Sequence, residues 1–286
     1  MANMIIKPAA DGNLLIQDRA GGAVLSTTAS GATIVNATLT SPTIADLGGV
    51  PSVLPAKNEG LVVKYVSATT VDIDADFLTV SDTNNVATIL SSINLTADIT
   101  ASGVNGLDTG SEAAVWYHIY VIYNGTTVAS LLSASATSPT MPSGYTYKKY
   151  VGAVYNRSSN FSNFYQSGND VILPKDDSFV RVVVNGTATN YASVALSAVI
   201  PTTTNVVIGY YGVTETSTRA LAYVAATAAG MGEYMLEIKG SSGDNTGHLY
   251  FDLVLVETQT MYYYRHTSLG DDVDVYITGY KFSGVV

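Results

Sequence analysis

Three carboxylates at alternate positions, Asp72, Asp74 and Asp76, are the first residues whose spacing suits chemistry. On one strand they share a face, about 7 Å apart in succession. A hard cation such as calcium takes about six to eight oxygens, usually from a tight loop. Alternation along a strand fits a charged, solvated face that discourages edge pairing better. Asp271, Asp272 and Asp274, beside the Gly270 turn, read the same way. No metal and no other cofactor is expected.

The three histidines, His118, His248 and His266, stand far apart with no ligand spacing between any two. His118 sits in the most apolar run of the chain and reads as a hydrogen-bonded core histidine. A Ser/His/Asp triad assembles in space rather than in sequence. Yet no Gly-x-Ser-x-Gly elbow gives any serine a nucleophile's setting, and no carboxylate pair stands out for glycoside hydrolysis. We expect no catalytic residue, and a structural or binding protein rather than an enzyme.

The aromatic clusters remain. Tyr262-Tyr263-Tyr264-Arg265 is the densest; on a strand, Tyr262 and Tyr264 face one way and Tyr263 and Arg265 the other. It reads either as a core face with a snorkelling arginine or as a surface patch through Tyr263 and Arg265. Tyrosine with arginine suits protein interfaces and sugar stacking. In residues 156–167, Phe161, Phe164 and Tyr165 stand among polar residues. That run reads as an exposed recognition loop or as one more short strand.

The elements that must position these residues are strands. Of 286 residues 47% are hydrophobic but only 13% charged, against about 25% charged in a typical domain. Ser, Thr, Asn and Gly must fill the water-facing positions, while Val, Ile, Thr and 20 Tyr suit a pleated, half-buried surface. A net charge of −10 argues against nucleic acid, whose phosphates need clustered Lys and Arg. The absence of cysteine fits folding in a reducing cytoplasm. Met1-Ala2-Asn3-Met4-Ile5-Ile6-Lys7-Pro8 has no apolar core of a signal peptide. No run of about 18 apolar residues occurs, so no membrane insertion is expected.

Three regions follow. Residues 1–58 contain no aromatic residue and hold short apolar pieces divided by Asp11-Gly12, Gly21-Gly22 and Ser30-Gly31. Strands this thin need neighbours, either further copies of the chain or a host surface. This predicts an extended, intertwined β anchor ending in a linker. Residues 59–174 and 175–286 each alternate strand and turn signal, predicting two antiparallel β-sandwich domains of jelly-roll-like style. Residues 115–123 are apolar on both alternating faces, as in a central strand covered on both sides. Residues 220–235, despite their alanines, read as a strand pair because of Gly230 and Gly232.

Two stretches carry a resemblance. Gly12-Asn13-Leu14-Leu15-Ile16-Gln17-Asp18-Arg19-Ala20-Gly21-Gly22-Ala23-Val24-Leu25, followed by Thr38-Leu39-Thr40-Ser41-Pro42-Thr43, resembles the start of tailed-bacteriophage virion proteins. The second runs through Leu95-Thr96-Ala97-Asp98-Ile99-Thr100, Gly106-Leu107-Asp108-Thr109-Gly110 and Trp116-Tyr117-His118-Ile119-Tyr120 to Pro142-Ser143-Gly144-Tyr145. It is similar to β-rich modules of phage fibres, as is the ending Val275-Tyr276-Ile277-Thr278-Gly279-Tyr280. The resemblance implies a virion fibre, head or tail, usually a homotrimer made in the host cytoplasm. Residues 1–58 would attach it to other virion proteins, and its β-domains would face host-surface glycan. A capsid decoration or cement protein is the alternative, and a glycan-cleaving tailspike a more distant one. The resemblance brings no catalytic residue.

Overall fold

The computed structural model describes residues 58–175, 180–215, 219–239, 245–266 and 272–282, with the backbone of three short strands nearer the N-terminus. Those three, β1 (Ile5–Ile6), β2 (Leu15–Asp18) and β3 (Ala23–Ser26), form an antiparallel sheet in the order β1-β2-β3. They belong to a compact unit, Met1–Pro51, while Ser52–Val286 forms a second. The other apolar pieces expected in residues 1–58, and the pairing of this segment with other chains, lie outside the described residues.

All regular structure among the described residues is β, and every strand pair is antiparallel. The second unit opens with β4 (Asn58–Glu59), β5 (Val62–Tyr65), β6 (Thr70–Ser81) and β7 (Ala87–Asp98). β6 and β7 are one long hairpin, from Thr70↔Asp98 to Ser81↔Ala87. The Asp82 carboxylate closes its turn by accepting the Asn84 and Val86 N–H groups at 2.9 and 2.8 Å. Sequence signals alone break this hairpin into shorter pieces, because Asp74, Asp76 and the serines interrupt the alternation.

β8 (Trp116–Tyr123), β9 (Val128–Ser133) and β10 (Tyr147–Tyr155) make a second layer in the order β10-β8-β9. It joins β6 at the single pair Lys148↔Ser81. At the other edge the Asp98 N–H donates to Asn105 O and the Asn105 N–H to Ser130 O, each at 2.9 Å. The layers enclose Val71, Ile73, Ala97, Ile119, Val121 and Leu132. β8 is buried along six consecutive residues, Tyr117 to Ile122, the central strand its composition predicts. A register shift in β10 between Tyr150 and Gly152 leaves room where a Gly152 Cβ would lie 2.4 Å from Gln166 Oε1. The fully buried Gln166 then donates to Val151 O at 2.6 Å, satisfying a carbonyl freed by the shift.

β11 (Tyr165–Ser167) and β12 (Asp170–Ile172) extend the first layer beyond β5. Eight strands follow: β13 (Arg181–Gly186), β14 (Ala192–Ala195), β15 (Thr204–Glu215), β16 (Arg219–Ala225), β17 (Tyr234–Lys239), β18 (Asn245–Val254), β19 (Thr260–Arg265) and β20 (Val273–Phe282). They form two sheets, β13-β20-β15-β18 and β14-β19-β16-β17. The first, eighth, third and sixth strands thus face the second, seventh, fourth and fifth, which is the strand order of a jelly roll. Val207, Tyr211, Val275 and Ile277 from one sheet and Val194, Ala222, Val224 and Met261 from the other fill the space between. Residues 220–235 are the β16–β17 hairpin rather than a helix.

The boundary expected at 174–175 is not a break in the sheet. β20 pairs with β13 over its first half and with β12 over its second, through Asp170↔Lys281 and Val171↔Tyr280. Trp116 Nε1 donates to Ser197 O at 2.7 Å, and the Tyr150 and Thr203 hydroxyls bond at 2.8 Å.

Candidate functional site

One rung of the jelly roll's outer face runs straight across four strands. Arg181 (β13) stands opposite Tyr276 (β20), Tyr276 opposite Tyr210 (β15), and Tyr210 opposite Tyr250 (β18). The alternation that sends Val183, Val275, Tyr211 and Leu249 inward sends these four out. Directly opposite side chains lie within contact distance, and the rung is stacked accordingly. The Arg181 guanidinium lies 5.6 Å from the Tyr276 ring centre. Tyr276 and Tyr210 stack at 4.8 Å and 11°, and Tyr250 tilts against Tyr210 at 5.7 Å and 55°. The row is anchored at one end and open at the other: Tyr250 is 72% exposed.

Polar groups flank it on the neighbouring rung. Arg181 Nη2 donates to both Asp274 carboxylate oxygens, each at 2.7 Å, and Asp274 also accepts the Asn185 N–H at 2.9 Å. That pairing holds the guanidinium's proton more tightly than usual. Across the sheet, His248 leans over Gly212, where a Cβ would meet the imidazole Cδ2 at 2.7 Å and Nε2 at 2.9 Å. Its ring comes to 5.7 Å from Tyr210. Asp252, two residues beyond Tyr250, accepts the Tyr234 hydroxyl at 2.8 Å. The open Tyr250 ring has the His248 imidazole and the Asp252 carboxylate beside it along β18, while the Arg181–Asp274 pair stands at the far, closed end of the row.

The opposite outer face also carries tyrosines, arranged differently. Tyr223 (β16) and Tyr264 (β19) stack at 4.3 Å and 2°, and Tyr191 packs edge-on against Tyr264 at 4.6 Å. The Tyr191 hydroxyl donates to Glu233. Tyr262 donates to both Glu257 oxygens at 3.0 and 2.9 Å. Burial, and then Tyr223, push the Tyr264 hydroxyl up to about 12. This group is closed on itself.

The structure relocates most of the residues singled out in the sequence. Phe161 and Phe164 are core, 4% and 5% exposed, and not the tips of a recognition loop. Their polar neighbours are drawn in with them: Asn156 Nδ2 donates to Glu112 Oε1 and Ala113 O, each at 2.9 Å, and Arg157 Nε to Ser162 Oγ at 2.9 Å. Tyr165 remains at the surface in β11, the short strand that run contains. Tyr263 and Arg265 lie on the inner side of β19, because Val224 and Ala222 opposite them are fully buried. A Cβ at Gly186 would meet the Tyr263 ring at 2.6 Å. The outward pair is Tyr262 and Tyr264. The open rung was not singled out at all; its signal was the alternation His248-x-Tyr250-x-Asp252 against Leu249, Phe251 and Leu253 in β18.

His118 is a core residue, its ring 5.7 Å from Tyr150. Burial lowers its pKa to about 4, so it is neutral at physiological pH, and its Nδ1 has no hydrogen-bond partner. Asp72 accepts the Thr96 hydroxyl at 2.8 Å, and Asp74 the amide of Asn94 at 3.1 Å and the ammonium of Lys64 at 3.3 Å. Among the described residues no group of three or more His, Asp or Glu side chains is placed to hold a metal ion. No protein-family model matches the chain, and no curated protein matches it.

Proposed function

We propose that this protein is a bacteriophage virion fibre that attaches to host-surface glycan through the outer face of its jelly roll. Residues 1–58 dock it to other virion proteins, and three copies assemble on that segment. The observation that carries the binding half is the rung Arg181–Tyr276–Tyr210–Tyr250, open at Tyr250. A tyrosine left 72% exposed in a stacked row keeps one ring face available, and sugars present a C–H face ringed by hydroxyls. The fold supports the reading, since jelly rolls serve as lectin and capsid domains. So does the charge-poor Ser/Thr surface, which suits hydroxyl-rich ligands. The virion half rests on the resemblance of residues 12–43 to phage virion proteins. Three weak sites on one stalk gain avidity of about 10²–10⁴-fold when they engage together.

The test is adsorption. Purified full chain added to host cells should compete with the particle for attachment, and it should sediment as a trimer. Labelled antibody should decorate projections from the particle. A chain that sediments as a monomer and leaves adsorption unchanged contradicts the proposal. Label spread evenly over the capsid lattice favours a decoration protein instead.

A further inference from the structure

The outer face that carries the tyrosine row does not stop at β20. One buried rung crosses six strands in register: Val63 (β5), Gln166 (β11), Val171 (β12), Tyr280 (β20), Val207 (β15) and Leu253 (β18), none more than 2% exposed. Side chains alternate along a strand, so the adjoining rung looks outward on all six. It reads Lys64, Tyr165, Ile172, Gly279, Ile208 and Asp252. β12 lies close against β20 because residue 279 is glycine, where a Cβ would run into Val171 O.

This rung ends beside the open tyrosine, for Asp252 is two residues from Tyr250 on β18. Its other platform is Tyr165, 44% exposed, with Ile172, 60% exposed, opposite it. Four strand spacings from β11 to β18 put the two rings about 20 Å apart on one sheet face. Exposed ion pairs edge the strip, Lys281 with Asp170 at 2.9 Å and Lys64 with Asp74 at 3.3 Å. Two rungs of this length cover about 200 Å², a quarter of the about 800 Å² per partner that a stable protein interface takes. The occupant that fits is a narrow, hydroxylated chain. Successive strands turn by about 20–25°, so that chain must be able to wind with the sheet.

We propose that the host glycan is bound as an internal stretch of polysaccharide lying across this rung, with Tyr250 and Tyr165 as two ring platforms and Ile172 on the floor between them. The inference rests on the glycan-attachment reading and deepens it: the ligand is a polymer segment rather than a terminal sugar. The Lys64 ammonium and the Asp252 carboxylate stand at the two ends of the strip for hydroxyl groups.

Calorimetric titration of the full chain with fragments of host surface polysaccharide, sorted by length, tests it. Fragments that span about 20 Å should bind about threefold to tenfold more tightly than shorter ones, the range of one added stacking contact. Tyr165→Ala should remove that gain and leave short fragments bound as before, while Tyr165→Phe should keep it. Ile172→Arg, at an exposed position, obstructs the strip without touching either ring and should also remove the gain; thermal unfolding checks that each variant folds. Equal affinity for short and long fragments, or a gain that survives both Tyr165→Ala and Ile172→Arg, overturns the second platform and leaves the single-ring reading at Tyr250 standing. Binding through Tyr165 to host envelope stripped of its glycan assigns the strip to a protein partner and overturns it too. Failure of every fragment and of the intact polysaccharide to bind overturns the strip and the attachment reading together.

Discussion

The two outer faces of the jelly roll are built from the same residue type to different ends. On the β16–β19 face, Tyr264 is stacked by Tyr223 on one side and met by Tyr191 on the other, while Tyr191 and Tyr262 donate to glutamates. On the β13–β20–β15–β18 face, Arg181 and Asp274 close one end of the row and Tyr250 leaves the other in solvent. A tyrosine row is therefore not by itself a binding site. Whether its end is capped decides whether its ring area is spent on the fold or kept for a ligand.

That contrast is open to direct attack, and the largest effect should come from the closed face. Tyr264→Ala removes both stacking partners' contacts and should cost about 2–3 kcal/mol of unfolding free energy in urea, below the cost of a fully buried aromatic. A loss below about 0.5 kcal/mol would mean the stack contributes nothing. Arg181→Ala opens the anchored end of the other row. The pair with Asp274 is about one-third exposed on both sides, so the urea midpoint should fall by less than with Tyr264→Ala, and a second ring face becomes available on Tyr276. Gly212→Ala meets the movable edge of His248 at 2.7 and 2.9 Å and, less closely, the Gly247 carbonyl oxygen at 3.2 Å. Stability should change by less than about 1 kcal/mol, while the His248 ring signals shift in NMR as the imidazole leaves Tyr210.

The smallest effect is at alkaline pH. The Tyr264 hydroxyl is raised from 10.0 to about 12 in the fold. The neutral form is thus favoured on folding, and that contribution is present below pH 10 and lost as pH rises toward 12. Tyr264→Phe should remove one hydroxyl's share of this limb, followed by urea midpoints between pH 9 and 12, because burial raises the Tyr120, Tyr150, Tyr211 and Tyr280 hydroxyls as well. An unchanged limb would contradict the raised Tyr264 hydroxyl.

How far the sequence carried this is visible in the tyrosines. The β-sandwich character of residues 175–286 was legible from alternation and turn residues, as was the buried character of β8, because period and punctuation are local. Facing was not. In Tyr210-Tyr211 and Tyr262-Tyr263-Tyr264 the same residue stands on both faces, so composition says nothing about which looks out; only pairing with fully buried neighbours such as Val224 decides. Phe161 and Phe164 misled for a related reason. Asn156 and Ser162 look solvated in sequence, yet the fold buries them, with Asn156 Nδ2 donating to Glu112 and Ser162 Oγ accepting from Arg157. The shared sheet across residue 174 was equally invisible, since β12 finds β20 more than a hundred positions later.

Immobilised host polysaccharide, challenged with the native chain, Tyr250→Ala and Tyr264→Phe, measures the central claim. Tyr250→Ala should lose about threefold to tenfold in affinity, the range of a stacking contribution, with unfolding free energy within about 0.5 kcal/mol of the native chain. Tyr264→Phe should bind as the native chain does. Undiminished retention of Tyr250→Ala would contradict the account, for the open end of the row would then hold nothing.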